Sequence, residues 1–419
     1  MAENIELKNS VAEALEKIAG ISAVQKGLSF LKNDNDRTSA DQKELTSIPA
    51  PTFEEGERGE YYRRRLEELG IEDISKDDAG NIFGLRKGTG NGPRIAVCAH
   101  LDTVFPAGTD TVPKVKDGKI YAPGIADDGR GLAAVLTLIR AFNETGIETE
   151  GDILFGATVG EEGLGDLNGV KALFGQDHGI DGFISIEPGS PERITYLAAG
   201  SKRYEITYKG TGGHSFGDFG TPSAIHAAGK AIAGIADLKV PEDPKTTFNV
   251  GIVSGGTSVN TIAAEARLII DLRSVSADEL ARVESEALSI IKEAAGGADS
   301  GITVEIKQVG DRPAGSQDME SAIVQTAAEA SRQLGFIPSF EKASSTDSNV
   351  PIALGIPAVT LGGGGSFGGI HTLEEYFDPQ DAYYGPQAIF LCILGLTGIK
   401  GISSPVLDSR RKNNAEGGQ

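Results

Sequence analysis

Cysteine is scarce in this sequence, and a segment that could span a membrane is absent. Only two of the 419 residues are cysteines, Cys98 and Cys392, and each stands alone in an apolar stretch instead of in a close metal-binding or redox pair. We predict that both are buried and reduced. No run reaches the roughly 18 apolar residues of a membrane span. The N-terminus has no basic start before an apolar core, so we expect no signal peptide, no membrane partner and a cytoplasmic location.

Basic residues are too few for a protein that binds phosphate backbones. Lys and Arg total 39 against 60 Asp and Glu, a formal net charge of −21 at pH 7, which argues against nucleic acid and anionic membranes as partners. The four glycines at 362–365 lack the GK[ST] ending of a phosphate-binding loop, so a nucleotide-binding protein is disfavoured. The length allows two or three domains, as in a large enzyme or an assembly subunit.

Three short apolar runs between residues 94 and 190 end in acidic residues or histidine. They are RIAVCAHLD, DILFGATVGEE and GFISIEPGS, and glycine-bearing loops and helix-like segments separate them. Continuous apolar runs of this length are typical of strands that are buried on both faces of a parallel sheet. We therefore predict a largely parallel α/β sheet that binds ligands beyond the carboxyl ends of its strands.

After residue 200 apolar residues alternate with polar ones, as in half-exposed strands. The predicted order of strand, helix, two strands, helix and strand is that of a ferredoxin-like domain. We expect this α+β domain at 200–312, inserted into an α/β catalytic domain at 1–199 and 313–405. The last residues, 406–419, have the composition of a disordered tail.

Polar side chains collect at the predicted strand ends and are candidates for a metal site: His100, Asp102, Asp127, Asp128, Glu161, Glu162, Glu187 and His371. Imidazole and carboxylate groups together suit zinc, and also manganese or cobalt. A pair of ions would explain the many acids.

Two of these motifs suggest a division of labour. His100 and Asp102 can lie on one side of a strand end, where Asp102 would hydrogen-bond the imidazole nitrogen that faces away from the metal. One carboxylate of Glu161 and Glu162 can bind metal while the other takes a proton from water. Taken singly, a core histidine beside a capping aspartate and a solvated acidic turn are alternative interpretations.

The chain contains the stretches AHLDTV, PGIADDGRG, VGEEGLG, SIEP, GTGGHS, GGTSVNTI with DLRS, and GIHTLEEY. Together they resemble the M20 family of metallopeptidases and amidohydrolases, which includes glutamate carboxypeptidase, peptidase T and aminoacylases, and the resemblance extends from about residue 45 to 400. The resemblance implies a zinc-peptidase α/β fold, with a mixed sheet and helices on both faces. It also implies an inserted ferredoxin-like dimerisation, or lid, domain, so a homodimer is expected.

The same resemblance implies a set of metal ligands. Asp127 would bridge two zinc ions per chain and precede a cis peptide bond. His100 and Glu187 would complete one site, and Glu162 and His371 the other. Cobalt or manganese are possible substitutes for zinc.

Further roles follow from the resemblance alone. Glu161 matches the general base, and Asp102 matches the residue that orients the histidine ligand. His214 matches a histidine that reaches into the partner subunit's active site to stabilise the oxyanion. Asn260 and Arg273 match residues that hold the carboxylate of the substrate, and a guanidinium fork suits that task. For Arg273 a surface ion pair is the alternative.

These residues predict a dinuclear zinc hydrolase that cleaves amide bonds in short peptides, as a di- or tripeptidase or in the manner of a carboxypeptidase. A metal-bound hydroxide would attack while the glutamate base shuttles the proton. An N-acyl amino acid deacylase is the close alternative. A catalytically silent binding subunit is a third hypothesis, disfavoured because Glu161 and all the ligands are present.

Some residues depart from the family pattern or fall outside it. Arg130 follows the acid pair and its glycine, where many relatives have lysine directly after the acids. An aromatic and acidic insertion follows His214. Neither departure changes a predicted ligand. His178 and His226 match no motif, and we assign them no role.

Overall fold

The computed structural model of the protein describes residues 2–90, 92–297 and 299–409. The chain up to Tyr196 and from Gln317 onward forms one compact unit, and Leu197–Ser316 forms another. Residues 406–409 of the expected tail are described, and Leu407 is buried. The rest of that tail, 410–419, lies outside the described residues.

The helices and strands are numbered in chain order. The helices are α1 (Ala2–Ala19), α2 (Ser22–Asn33), α3 (Asn35–Ser47), α4 (Gly56–Glu68), α5 (Gly129–Thr145), α6 (Asn168–Gly175), α7 (Ala224–Ala236), α8 (Ala277–Ala294), α9 (Ala322–Gln333), α10 (Asn349–Ala353) and α11 (Tyr384–Thr397). The strands are β1 (Glu72–Lys76), β2 (Ile82–Arg86), β3 (Arg94–His100), β4 (Lys114–Lys116), β5 (Lys119–Tyr121), β6 (Asp152–Thr158), β7 (Gly182–Glu187), β8 (Arg193–Thr195), β9 (Gly200–Lys209), β10 (Gly213–His214), β11 (Thr246–Gly255), β12 (Thr261–Ile262), β13 (Glu265–Ser274), β14 (Thr303–Arg312), β15 (Ser339–Phe340), β16 (Ala358–Gly362), β17 (Ser366–Gly368) and β18 (Tyr376–Asp378).

An eight-stranded mixed sheet forms the centre of the first unit, in the order β1-β2-β6-β3-β7-β16-β8-β15. Its middle strands β6, β3, β7 and β16 run parallel, while β1, β2 and β8 add antiparallel pairings. β3, β6 and β7 are buried along nearly their whole length, because strands covered on both faces need apolar side chains on both. The predicted buried parallel strands are confirmed, and their carboxyl ends meet at one edge.

Apolar helices cover this sheet. α5 is buried from Gly129 to Phe142, and it ends at Thr145, directly before Gly146, which caps the helix in the left-handed conformation with a φ of 63°. α11 is apolar on all sides and buried from Gly385 to Thr397, as expected of a helix that crosses a core. Cys392 of α11 and Cys98 of β3 are buried and free, which confirms the prediction for both. Within the described residues, no helix combines the length and the apolar character that a membrane crossing requires.

A buried ionic network joins the first helices to α5. Arg140 of α5 donates to Asp34 at 2.7 Å and to Asp41 at 2.6 Å. Arg65 of α4 donates to the other oxygen of Asp41 at 2.7 Å. The sequence of α4 indicates a charged outer face, yet Arg65 lies inside, because the acids of the preceding helices compensate its charge.

The second unit is a four-stranded antiparallel sheet in the order β11-β13-β9-β14, with α7 and α8 between its strands in sequence. Every second residue of β13 is buried, and these residues form a core with α7 and α8. Strand order and helix positions are those of a ferredoxin-like domain, inserted between the two parts of the first unit. The predicted fold class is confirmed.

Loss of one arginine side chain from the buried ionic network should destabilise the first unit. We expect Arg140→Met to lower the free energy of unfolding by about 3 to 5 kcal/mol, because Asp34 and Asp41 would stay buried without it. The control is Arg63→Met, since Arg63 forms exposed ion pairs with Glu60 and Glu67 on α4 and should cost about 1 kcal/mol or less. Urea unfolding followed by circular dichroism measures both. Equal losses in the two variants would contradict the network's role.

Candidate metal centre

Parallel strands bring the predicted ligands to one edge of the large sheet. His100 is the last residue of β3, and Glu187 is the last residue of β7. β6 ends at Thr158, which pairs with His100, so the turn with Glu161 and Glu162 begins beside it. The hairpin loop between β17 and β18 carries His371 to the same place.

Four predicted ligands contact one another around Asp127. Oδ1 of Asp127 lies 2.9 Å from Nε2 of His100, and Oδ2 lies 3.2 Å from Nε2 of His371. The same nitrogen of His371 lies 2.9 Å from Oε1 of Glu162. Ligand atoms of His100, Asp127 and Glu162 all lie within 4.8 Å of one another. Asp127 therefore presents one oxygen to each imidazole.

Glu187 belongs to the same charged environment. It is buried, and burial together with the charges of Asp128, Asp127 and Glu161 raises the pKa of Glu187 well above its usual range. The pKa of His371 is raised to about 10 by its hydrogen bonds to Asp127 and Glu162. Buried acids therefore lie close to one another at this edge. A nearby positive charge, such as that of a protonated histidine or a bound cation, favours their ionised forms.

The residues present fit a divalent cation. Two imidazole nitrogens and carboxylate oxygens within a few ångströms of each other are the donor types that zinc, manganese and cobalt accept. A bound cation would also offset the burial and the repulsion that raise the pKa of Glu187. Charge and ligand chemistry therefore point to the same occupant.

The two consecutive aspartates, Asp127 and Asp128, make different contacts, and a cis peptide bond joins them. Asp128 is fully buried and caps α5: Oδ1 accepts the N–H of Gly131 at 3.0 Å, and Oδ2 accepts the N–H of His100 at 3.2 Å. A Cβ at Gly131 would lie 2.3 Å from that carboxylate, so the motif needs glycine there. Asp128 thereby connects the start of α5 to the end of β3.

Asp102 holds the acidic turn as well as the histidine. Its carboxylate accepts the N–H of Glu161 at 3.0 Å and of Glu162 at 2.9 Å, and the hydroxyl of Thr52 donates to it at 2.9 Å. Nδ1 of His100 lies 3.0 Å from the carbonyl oxygen of Asp102 and 3.5 Å from its carboxylate. The expected link to His100 therefore runs mainly through the backbone carbonyl.

A further buried carboxylate, that of Glu375, was not predicted from the sequence. Oε1 accepts the N–H groups of Ala126 at 2.8 Å and Asp127 at 3.0 Å, and Oε2 accepts that of Gly124 at 2.9 Å. Burial raises the pKa of Glu375 to about 7. Glu375 lies within the stretch GIHTLEEY, but an acidic pair in a loop is typical of a solvated turn, and only its neighbour Glu374 is exposed.

Two buried arginines beside the centre were also missed or left without a role. Arg58 of α4 is fully buried and donates to the carbonyl oxygen of Leu101 at 2.7 Å, next to His100. Arg130 of α5 donates to the carbonyl oxygens of Gly363 and Ala382, both at 2.7 Å. No sequence signal separates these arginines from surface residues, since only the packing of several elements buries them.

The predicted residues of the second unit fall into two places. His214 of β10 pairs with Thr261 of β12, and the carbonyl oxygen of Asn260 accepts the N–H of the neighbouring Ser215. Arg273 lies near the other end of β13. By the rise per residue of a strand, it is roughly 25 Å from the first residue of β13, Glu265. There it donates to Asp271 at 2.7 Å. This contact agrees with the alternative interpretation of Arg273 as a member of a surface ion pair.

The imidazole of His214 has a defined hydrogen-bonding pattern. The backbone N–H groups of Phe216 and Gly217 donate to Nδ1 at 3.3 and 3.2 Å. Because Nδ1 accepts, the proton of the neutral ring lies on Nε2. The side chain is exposed, so it presents a donor outward. His226 lies on α7 and His178 in the loop before β7, and both are exposed.

Residues 96–394 match the family described as Peptidase family M20/M25/M40. The chain belongs to this family. YqjE of Bacillus subtilis is 30% identical over 79% of this chain and 91% of its own length. A succinyl-diaminopimelate desuccinylase of Nitrosospira multiformis is 29% identical over 54% of this chain and 65% of its own length.

A solved M20-type structure has the same fold. The tripeptidase from Staphylococcus aureus is 26% identical, with a TM-score of 0.73 over 86% of this chain and 97% of the other. Family membership confirms the expectation of an M20-type metallopeptidase, a hydrolase of peptide or other amide bonds. It also agrees with a metal-binding role for the cluster at the sheet edge.

Metal binding should stabilise the first unit. After chelator treatment, we expect added Zn²⁺ or Co²⁺ to raise the unfolding temperature, since about 2.7 kcal/mol is gained at a hundredfold excess over the dissociation constant. His371→Ala should reduce the shift, because it removes one donor, whereas the control His178→Ala should keep it. Differential scanning calorimetry measures both. An unchanged unfolding temperature in the wild-type protein would contradict the metal centre.

Proposed function

We propose that this M20 protein is a dinuclear zinc hydrolase that cleaves amide bonds in short peptides. The observation that carries the proposal is Asp127, whose two carboxylate oxygens face different imidazoles. A carboxylate in that position suits a bridge between two ions. His100 with Glu187 would hold one ion, and Glu162 with His371 the other. Two bound ions would act as Lewis acids on the scissile carbonyl and lower the pKa of a water molecule.

Glu161 is the proposed general base. Glu161 is buried at the same edge of the sheet. The carboxylate of Asp102 accepts the backbone N–H groups of both Glu161 and Glu162, and these two bonds hold the turn that carries both acids. Gly160 shapes that turn: its φ is 63°, and a Cβ there would lie 1.9 Å from Oδ1 of Asn168. Glu161 would accept a proton from water and pass it to the leaving nitrogen.

A cavity with room for a small substrate is lined by the residues that follow Glu187 in the chain, from Pro188 onward, and by Phe367. Its volume is about 560 Å³, and the candidate ligands themselves are not among its lining residues. Arg193 and Lys342 line it against a single acid, Glu341. This local excess of positive charge, in a chain of net charge −21, suits a substrate that carries a free carboxylate.

His214 is the proposed donor to the oxyanion, from the inserted domain of a partner subunit in a homodimer. Its Nε2–H is the free donor of the neutral ring, which supports that role. Asn260 directly precedes β12 of the same short ladder, and Arg273 lies near the far end of β13. Both are proposed to hold the carboxylate of the substrate.

An N-acyl amino acid deacylase is the second candidate. The Nitrosospira multiformis relative is a desuccinylase, whereas the Staphylococcus aureus structure is a tripeptidase. Both names denote cleavage of an amide bond, so the metal centre suits either reaction. A silent binding subunit is disfavoured, because Glu161 and all five ligands are present. The cytoplasmic location stays a prediction.

The proposal is tested by counting metal and screening substrates. Protein purified without chelator should hold about two divalent ions per chain by elemental analysis, zinc foremost. Turnover of di- and tripeptides should exceed that of N-acetyl and N-succinyl amino acids. Faster turnover of the acyl amino acids would favour the deacylase, and activity without any bound metal would contradict both.

Substitution of the base should separate chemistry from metal binding. We expect Glu161→Gln to lower kcat by roughly 10² to 10⁴, since a general base contributes that much, with metal content unchanged. Glu148→Gln, at an exposed ion pair with Lys400, is the control and should keep wild-type kcat. Loss of metal from the Glu161 variant would identify Glu161 as a ligand and reverse the roles proposed for the acidic pair.

Mixed dimers test the role of His214. His214→Ala should lower kcat by a factor that corresponds to roughly 3 to 4 kcal/mol, with little change in substrate affinity, because the donor acts on charge that develops in the transition state. When the His214→Ala and Glu161→Gln proteins are mixed and refolded, part of the activity should return. One active site of each mixed dimer then has both an intact Glu161 and an intact His214. No recovery in dimers shown to be mixed would mean that His214 does not act across subunits.

A further inference from the structure

Glu375 closes a ring of contacts around Asp127. The carboxylate of Asp127 touches His371 at 3.2 Å. Four residues after His371, the carboxylate of Glu375 returns to the backbone of Asp127 and accepts its N–H at 3.0 Å. A single short segment therefore contacts the bridging aspartate at both its side chain and its backbone.

The segment between these two contacts is folded tightly. The N–H of Thr372 donates to the carbonyl oxygen of Gly369 at 3.0 Å, and that of Glu375 donates to Thr372 at 3.2 Å. His371 itself has a φ of 64°, in the left-handed region. Backbone pairing of Tyr376 with Tyr121 holds the segment beyond Glu375. A displacement of Glu375 would therefore move His371 as well.

Burial and hydrogen bonding specify a carboxylate at this position. Glu375 has no exposed surface, and its two oxygens accept three backbone N–H groups, from Gly124, Ala126 and Asp127. A glutamine could serve two of these donors with its oxygen, but its NH₂ group would then face the third N–H. Unpaired donors in a buried site are unfavourable.

We propose that Glu375 is a positioning residue that sets the distance between Asp127 and His371. It thereby determines the affinity for the metal ion that Glu162 and His371 would hold. The inference rests on the proposed dinuclear site. Glu375 touches no metal in this scheme: it acts through the backbone of Asp127 and through the segment that carries His371. Partners outside the ligand shell typically change metal affinity by ten- to hundredfold.

The test compares Glu375→Gln with Glu374→Gln in the full-length protein. Glu374 is the adjacent residue and is exposed, so its variant controls for the loss of one charge near the centre. Co²⁺ is titrated into chelator-stripped protein, and binding is followed by calorimetry and by visible absorption. We expect Glu375→Gln to weaken one of two Co²⁺ sites by roughly ten- to hundredfold and to alter the absorption bands. Glu374→Gln should match the wild type.

Other outcomes distinguish positioning from mere stabilisation. If Glu375→Gln lowers the unfolding temperature but binds both Co²⁺ ions with wild-type affinity and spectrum, the inference is overturned. If Glu375→Gln does not fold, Glu375→Asp keeps the charge with a shorter reach and should show the same selective weakening; wild-type binding in that variant overturns the inference. A wild-type protein that binds no Co²⁺ would instead refute the proposed dinuclear site.

Discussion

The gathering of buried acids at one edge of the large sheet is the constraint on which the rest of the structure depends. Burial and the charges of neighbouring acids raise the pKa values of Asp128 and Glu187, whereas His100 and His371 hold the pKa of Asp127 below its usual range despite its burial. Such a cluster persists only where positive charge or N–H groups compensate it. Two histidines, several backbone amides and a site of suitable chemistry for divalent cations supply that compensation.

Backbone N–H groups orient the acidic residues. Asp102, Asp128 and Glu375 each accept N–H groups from other segments. The segments so joined are the ones that carry the ligands: the end of β3, the acidic turn after β6 and the turn before α5. The ligand side chains therefore have little freedom, and a pre-organised site loses less entropy when metal binds.

The two units contribute different chemistry to one proposed reaction. The first unit contains all the candidate metal ligands and the proposed base, Glu161. The second presents His214 and Asn260 at one end of its sheet and Arg273 near the other. Substrate choice within the M20 family then depends on what surrounds a common centre, since the relatives include both a tripeptidase and a desuccinylase. The charged cavity lined by Arg193 and Lys342 is a candidate for such a determinant.

Much of this could be predicted from the sequence, because hydrophobic periodicity and strand-end motifs are local. The apolar runs before His100 and Glu187 determined the parallel strands, and period-two alternation determined the inserted ferredoxin-like domain. Parallel strands must share an edge, so the candidate ligands could be expected to meet. The buried positions of Arg58, Arg130 and Glu375 were decided only by the tertiary structure. A charged residue becomes part of a core when segments far apart in the chain offer it partners, and no local pattern encodes those partners. Whether an acid is a candidate metal ligand, as Asp127 is, or holds the backbone, as Glu375 does, is likewise decided by contacts between distant segments.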